Sequence, residues 1–352
     1  MIIGIANNLY PPYGRDSGAE IIAKKMADDL VNQGHDVFII STRPKNEVRL
    51  DKNNIYYLPS SYEALKQMTI CQKLFWHFKQ LIFPPHQKEI TKILNDRKPN
   101  LFITHNLIGL NFALPTLLSK NNIKHHHILH DIQLLHPSGL MYFGQETIIN
   151  SLLAKIYQHF TKIFLDKANK IISPSKWLLD LHLKKGFFKN QITEIKRNFN
   201  FKKIPSKEIS RPVKFFFAGQ LEEHKGIKLL IDSWRASGLN MDQASLSIAG
   251  SGSLDDFVKE EIKSKDNIYY LGHLNREEMQ SALDAHDAVI ITSLVYENSP
   301  TIIWEAAKKG LKIIAPNIGG IPELQEFADI SLYKPNNIKD LVEKIHLIVS
   351  EF

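Results

Sequence analysis

The stretch from Ile290 to Glu323 constrains this chain most. It holds an apolar run, a polar turn, a helical segment opening at Pro300, a second apolar run and a closing pair of glycines. That succession is a β-loop-α-β unit, the building block of parallel sheets. Proline is tolerated in a first helical turn, where its missing N–H would be unpaired anyway, and Asn298 or Ser299 is placed to cap that turn. Glu297 then lies in the loop and Glu305, eight residues on, in the helix, so both carboxylates can face one cleft.

The free N–H groups of such a helix start attract phosphate, and a carboxylate aimed at the same place accepts hydrogen bonds from sugar hydroxyls. A nucleotide sugar carries both groups. Two glutamates eight apart are common on amphipathic helices, so the weight rests on their order with the flanking strands. The chain resembles the family 4 glycosyltransferases, whose signature runs Glu, seven residues, Glu, Ala, a Gly, an apolar strand and a Gly-x-x-Glu turn. Here these are Glu297, Glu305, Ala306, Gly310, Ile313 to Ala315, Gly320 and Glu323.

A length of 352 residues suits two domains, and 43% hydrophobic with 23% charged residues is ordinary for a globular protein. No run of eighteen apolar residues occurs and Met1 leads directly into IIGIA, so neither a transmembrane helix nor a secretory signal is expected, and the location expected is cytoplasmic. Cys71 is the only cysteine, which excludes an internal disulfide and a cysteine-based zinc cluster. Residues 1–208 hold 29 Lys/Arg against 16 Asp/Glu, and residues 209–352 hold 15 against 21. The first half, at +13, suits an anionic partner: nucleic acid, a membrane surface or a polyphosphate-linked acceptor. The change of sign also marks a domain boundary.

Ile2 to Ala6, a loop, a helix from about Ala19 to Asn32 and the strand DVFIIS form a first β-loop-α-β unit. Backbone N–H groups at Ser17 and Gly18 are candidates for phosphate contact, with a plain helix cap equally open. Between residues 61 and 92, Phe75, Trp76, Phe78, Ile82 and Phe83 interleave with lysines. Such a helix can lie in a membrane interface or pack its aromatics on the sheet, and packing is slightly preferred. Leu152 to Lys170 is a second candidate of this kind.

Strands at 100–106 and 125–131, separated by a helix near Leu107 to Lys120, place His105, His130 and Asp131 at carboxyl edges, where open parallel sheets bind ligands. His125 and His127 share a strand face, but no acidic or cysteine ligand nearby completes a metal site. Asn198-Phe199 stands where relatives place an Asn-Gly pair, and residues 200–212 form the expected linker between domains at 1–199 and 213–352. Four β-α repeats then precede the Ile290–Glu323 unit.

The resemblance implies two doubly wound Rossmann-like α/β domains facing across a cleft, the GT-B arrangement. It implies transfer of a sugar from a nucleotide-sugar donor to the hydroxyl of a glycan or lipid-linked acceptor, with retention at the anomeric carbon and no nucleic acid involved. Gly219-Gln220 and Lys225-Gly226 match a family segment in which Gly-Arg precedes Lys-Gly, the Arg and Lys neutralising the departing diphosphate. Gln220 departs from that pattern, since an amide donates a hydrogen bond but supplies no charge. Slower chemistry, a different donor, or compensation by His224 or another cation are the options it leaves open.

On the same resemblance Glu297 is assigned to the donor-sugar hydroxyls and Glu305 to the ribose. The backbone of Asn298, Ser299, Pro300 and Thr301 lies near the phosphates, Gly250 and Gly252 near base or phosphate, and His130-Asp131 over the donor sugar. Catalytic roles thus fall to His130, Lys225 and Glu297. No Asp-x-Asp metal motif occurs, so no metal or cofactor is expected. Relatives usually end in a helix crossing back to the first domain, whereas Asn337 to Glu351 forms one terminal helix here. Two rival readings remain: a nucleotide-sugar-binding protein with weak or no turnover, and an epimerase or phosphorylase on the same fold.

Overall fold

The computed structural model describes residues 1–14, 18–47, 54–197, 203–209, 211–263 and 266–350. Ser17, Asn198, Phe199 and part of the 200–212 linker therefore lie outside the described residues. The chain divides into two compact units: Met1–Leu140 with Thr147–Asn198, and Met141–Glu146 with Phe199–Phe352. The hexapeptide Met141–Glu146, assigned to the first domain from its place in the sequence, thus belongs to the second unit.

In the first unit seven strands form one parallel sheet: β1 (Ile2–Ala6), β2 (Asp36–Pro44), β3 (Ile55–Ser60), β4 (Leu101–Thr104), β5 (Lys124–Ile128), β6 (Lys170–Ser173) and β7 (Ile192–Ile195), in the order β3-β2-β1-β4-β5-β6-β7. The helices are α1 (Gly18–Asn32), α2 (Ile70–Ile82), α3 (Gln87–Arg97), α4 (Leu114–Lys120), α5 (Leu152–Leu165) and α6 (Lys176–Lys184). The strand order reverses between β1 and β4, so the loops after Ala6 and Thr104 meet at a switch point.

The helix expected from Leu107 starts only at Leu114. Gly109 holds φ +76° against Tyr62 and Ser60, and Ser60 Oγ donates to its carbonyl at 2.9 Å, which spends the segment on a tertiary turn. The aromatic-basic stretch divides between its two readings. Trp76 is buried and donates from Nε1 to Ser61 Oγ at 2.9 Å, whereas Phe75, Ile82 and Phe83 are exposed, as are Leu152, Ile156 and Ile163 on α5.

The second unit is a six-stranded parallel sheet: β8 (Val213–Ala218), β9 (Ala244–Ala249), β10 (Ile268–Gly272), β11 (Ala288–Ile290), β12 (Lys312–Pro316) and β13 (Ile330–Tyr333), ordered β10-β9-β8-β11-β12-β13. Its helices are α7 (Ile227–Ser237), α8 (Asp255–Ile262), α9 (Arg276–Ala285), α10 (Thr301–Lys308) and α11 (Ile338–Ser350). Strand residues alternate between two cores, as a period of two demands. Phe215, Phe217, Leu246, Ile290 and Ile314 pack with Trp234 of α7 and Leu341 of α11. Phe216, Val289, Ile313 and Ala315 pack with Leu283 of α9 and Trp304 of α10. Helices therefore cover both faces, the doubly wound arrangement expected. Described linker residues dock on this unit, where Ser206 Oγ donates to Asp329 at 2.7 Å and Lys207 N to Gly310 O at 2.9 Å.

Histidines enter the first core directly. The Thr104 hydroxyl lies 2.7 Å from His125 Nε2 and 2.8 Å from His127 Nδ1, so one imidazole donates and the other accepts. The shared hydroxyl thus ties together the two histidines on this strand face. Burial pushes His125 down to about 3 and His182 to about 4, and holds His127 well below its ordinary range. Groups depressed in this way stabilise the fold fully above the unfolded value of about 6.5, and that stability is lost as pH falls toward 4. The first unit should therefore lose on the order of 1–2 kcal/mol per buried histidine between pH 7.5 and 5. Urea unfolding followed by hydrogen exchange in β4, β5 and α6 measures this, and equal midpoints at the two pH values would contradict it.

Candidate functional site

In the second unit β8 and β11 are neighbours on either side of the strand-order reversal. The loops at their carboxyl ends therefore lie side by side at the position where open parallel sheets bind ligands. The loop after β8 carries Gly219 to Gly226, ending in a short helical turn at Glu223–Lys225. The loop after β11 carries Ser293 to Pro300 and leads into α10. Leu294 N donates to His224 O and Thr292 Oγ1 to Lys225 O, each at 2.9 Å, which zips the two loops together. Gly226 makes this approach feasible: its φ is +69°, and a Cβ there would stand 1.9 Å from Thr292 O.

The zipped loops bring Lys225 to Glu297. Lys225 Nζ lies 2.5 Å from Glu297 Oε1, and Ser293 Oγ donates to the same oxygen at 2.8 Å. Burial would raise the Glu297 carboxyl, but the Lys225 charge and these two hydrogen bonds overcome it and hold the group below its ordinary value. Glu305, half-buried on α10, moves the other way: burial raises it, against the opposing charges of Arg276 and Lys308. One carboxylate is thus fixed as an anion, while the other is nearer to neutrality.

Several expectations need correction at this level. Pro300 is the residue preceding α10 and supplies no side-chain cap, and the Ser299 hydroxyl is engaged elsewhere. Ser299 Oγ instead accepts from Trp304 Nε1 at 2.8 Å, because a fully buried indole N–H requires a partner. Pro300 has no N–H to offer a phosphate, although Thr301 still opens the helix. The N–H groups of Gly250 and Gly252 have partners within the unit. Gly250 N donates to Gly272 O at 2.8 Å and Gly252 N to Asp255 Oδ1 at 2.6 Å. What Gly250 serves is contact between loops, since a Cβ on it would meet Gly219 O at 1.8 Å. Gln220 is exposed on this loop.

Within the first unit, His105 follows β4 and His130 follows β5 by two residues. Their rings stack at 5.0 Å with His105 Nδ1 2.7 Å from His130 Nε2. Burial takes His130 down to about 4, so it is a neutral imidazole at pH 7. Asp131 rises to about 6 through burial, opposed by the Gln133 N–H at 2.6 Å and by the Asn106 side chain. Gly18 begins α1 and is exposed, with the carboxylate of Glu20 buried in the same first turn.

Comparison with known proteins agrees with this architecture. Residues 17–197 match the model of Glycosyltransferase Family 4, and residues 198–351 match that of Glycosyl transferases group 1. The chain belongs to glycosyltransferase family 4. An uncharacterized 42.6 kDa protein in the cps region of Klebsiella pneumoniae is 25% identical over 97% of this chain and 91% of its own. Among solved structures, sucrose-phosphate synthase from Thermosynechococcus elongatus superposes with a TM-score of 0.71 at 13% identity, over 99% of this chain and 90% of its own. Anabaena HepE in complex with UDP has a TM-score of 0.69 at 15% identity over the same shares. At these identities the two structures show a shared fold.

Within this family 4 member, Lys225 and Glu297 are the expected residues that the structure brings together. Ser293 escaped the sequence reading, although its place four residues before Glu297 was available as a signal. Glu222 also escaped it: its carboxylate accepts from Ser253 Oγ at 2.7 Å and so joins the β8 and β9 loops. Replacing Lys225 with Ala should leave the partly buried Glu297 without its cation and cost about 1–3 kcal/mol at pH 7. Because Glu297 is depressed in the wild type, its contribution is present above the ordinary carboxylate range and fades as pH falls through it. The stability gap between wild type and Lys225→Ala should therefore narrow as pH falls below the ordinary carboxylate range in urea titrations, and a pH-independent gap would rule out the pairing as its source.

Proposed function

We propose that this chain transfers a sugar, with retention, from a nucleotide-sugar donor to an acceptor hydroxyl in cell-surface glycan or glycolipid assembly. The reading is carried by the Lys225–Glu297 pair at the switch point of the second sheet. A fixed cation beside a fixed carboxylate suits a diphosphate joined to a sugar, the cation meeting the developing leaving-group charge and the carboxylate the hydroxyls. Lys225 supplies that charge without a divalent ion. The complex of HepE with UDP supports a uridine nucleotide as the first donor to test. The cps-region relative supports the pathway.

A thermal-shift screen of nucleoside diphosphates, followed by transfer assays with labelled UDP-sugars, tests the proposal. Glu305→Ala should weaken diphosphate binding by about 1.5–3 kcal/mol through lost ribose contacts. Lys225→Ala should lower turnover on the order of a hundredfold or more, Gln220→Ala much less, and Gln220→Arg should raise it. Binding without any transfer would leave a nucleotide-sugar-binding protein, and recovery of an isomerised donor would identify an epimerase.

The acceptor we assign is lipid-linked and presented at an anionic membrane, with the chain cytoplasmic and peripheral. The +13 balance of residues 1–208 supports this, together with the exposed Phe75, Ile82 and Phe83 near the end of α2 and Leu152, Ile156 and Ile163 on α5. No helix among the described residues is long and apolar enough to cross a membrane. Binding to anionic vesicles in flotation should be strong at low salt and weaken as salt rises. Absence of flotation at low salt would remove the membrane and leave a soluble acceptor.

A further inference from the structure

The segment Met141–Glu146 is part of the second unit, although Leu140 before it and Thr147 after it belong to the first. It lies antiparallel to the Ser293–Glu297 loop through a bridge between Tyr142 and Val295. Phe143 N donates to Leu294 O and Tyr296 N to Met141 O, each at 2.9 Å. Leu294 thereby uses both of its backbone groups, its N–H on His224 O and its C=O on Phe143 N. The loop that carries Glu297 is held between the Glu223–Lys225 turn on one side and Met141–Glu146 on the other.

Side chains lock the outer edge. Tyr296 Oη donates to Glu146 Oε1 at 2.8 Å, and Gly144 N donates to the same oxygen at 2.7 Å. Met141 is buried at 3% exposure, and the rings of Phe143 and Tyr296 lie 6.5 Å apart. Tyr142 also senses the other loop, since burial and then the charges of Glu223 and Glu222 raise its phenol. Nothing in the chemistry proposed above uses these residues.

We infer that Met141–Glu146 is a positioning strand for the Glu297 loop, and that Tyr296 and Glu146 are positioning residues for the carboxylate. They act through the backbone of residues 293–297, which fixes where Glu297 meets Lys225. The inference rests on the reading of Glu297 as a donor-sugar ligand. A loop held on one side only would let the carboxylate wander relative to the sugar while leaving the nucleotide contacts in place.

The test uses the full chain with Tyr296→Phe, Glu146→Ala and the conservative Glu146→Gln, which keeps an oxygen acceptor. Hydrogen exchange at the amides of Phe143 and Tyr296 reports the two ladder bonds directly. Exchange there should rise about tenfold in Tyr296→Phe and Glu146→Ala while amides of β8 and β12 stay protected, and Glu146→Gln should behave as wild type. With UDP-sugars, kcat should fall roughly tenfold in the first two variants while UDP affinity stays within about twofold, and Glu146→Gln should restore turnover. Unchanged exchange at both amides overturns the inference, and so does faster exchange with unchanged kcat. A wild-type chain that transfers nothing from any UDP-sugar counts against the donor reading, and the exchange measurement then decides the strand alone.

Discussion

A carboxylate that is mostly buried must be neutralised, protonated or paired, and the second unit is organised around pairing the one on Glu297. Burial alone favours the neutral acid. Lys225 and Ser293 reverse that outcome, and they do so from two different loops. The pair can form only because β8 and β11 are adjacent in the sheet, and because Gly226 permits a backbone approach that any side chain would block. A cation immobilised by one anion is also prepositioned for another. In the proposed transfer, this economy of charge would let the same lysine serve both the resting loop and a diphosphate.

The sheets were legible because apolar runs of four to six residues bounded by turns can be little else in an α/β chain. Three strands escaped, among them β3 (Ile55–Ser60), which lies between the second strand and the aromatic-basic stretch. β7, mostly exposed, sits at the sheet edge with only Ile192 and Ile195 to mark it, and β13 is four residues of modest hydrophobicity. Helix starts were less legible than helices. Ser299 carries the chemistry of a cap, yet a buried tryptophan one turn on claims its hydroxyl, and local sequence does not say which demand prevails. Gly109 likewise delays a helix start by packing against residues almost fifty positions away.

Within the candidate site, residues whose type dictates their chemistry were found and residues whose partners dictate it were not. Lys225 and Glu297 announce charge. Gly250 and Gly252 announce close backbone approach, but the sequence does not distinguish approach to a ligand from approach to Gly219 and Leu221, which is what they show. Met141–Glu146 lies at the far limit of this scale. No periodicity marks it, and its neighbours in space are some 150 residues distant along the chain.

Gln220 is the remaining departure from the family pattern, and the structure narrows what can compensate for it. His224 stands next to Lys225 and is the nearest titratable candidate by sequence. Burial lowers its pKa and the Lys225 charge lowers it further, with Glu297 and Glu222 opposing, so the net direction is toward the neutral ring. A neutral imidazole donates a hydrogen bond, as glutamine does, and adds no charge. Compensation by His224 is therefore unfavourable at neutral pH, and the positive charge on the zipped loops rests with Lys225. That lysine already serves Glu297. Under the proposed function a diphosphate entering here would have to share it, and the carboxylate would recover part of its tendency to protonate as the phosphate drew the cation away. In that proposal, charge on Glu297 and charge on the leaving group would be coupled through one ammonium group, and an exposed neutral Gln220 would leave that coupling undiluted.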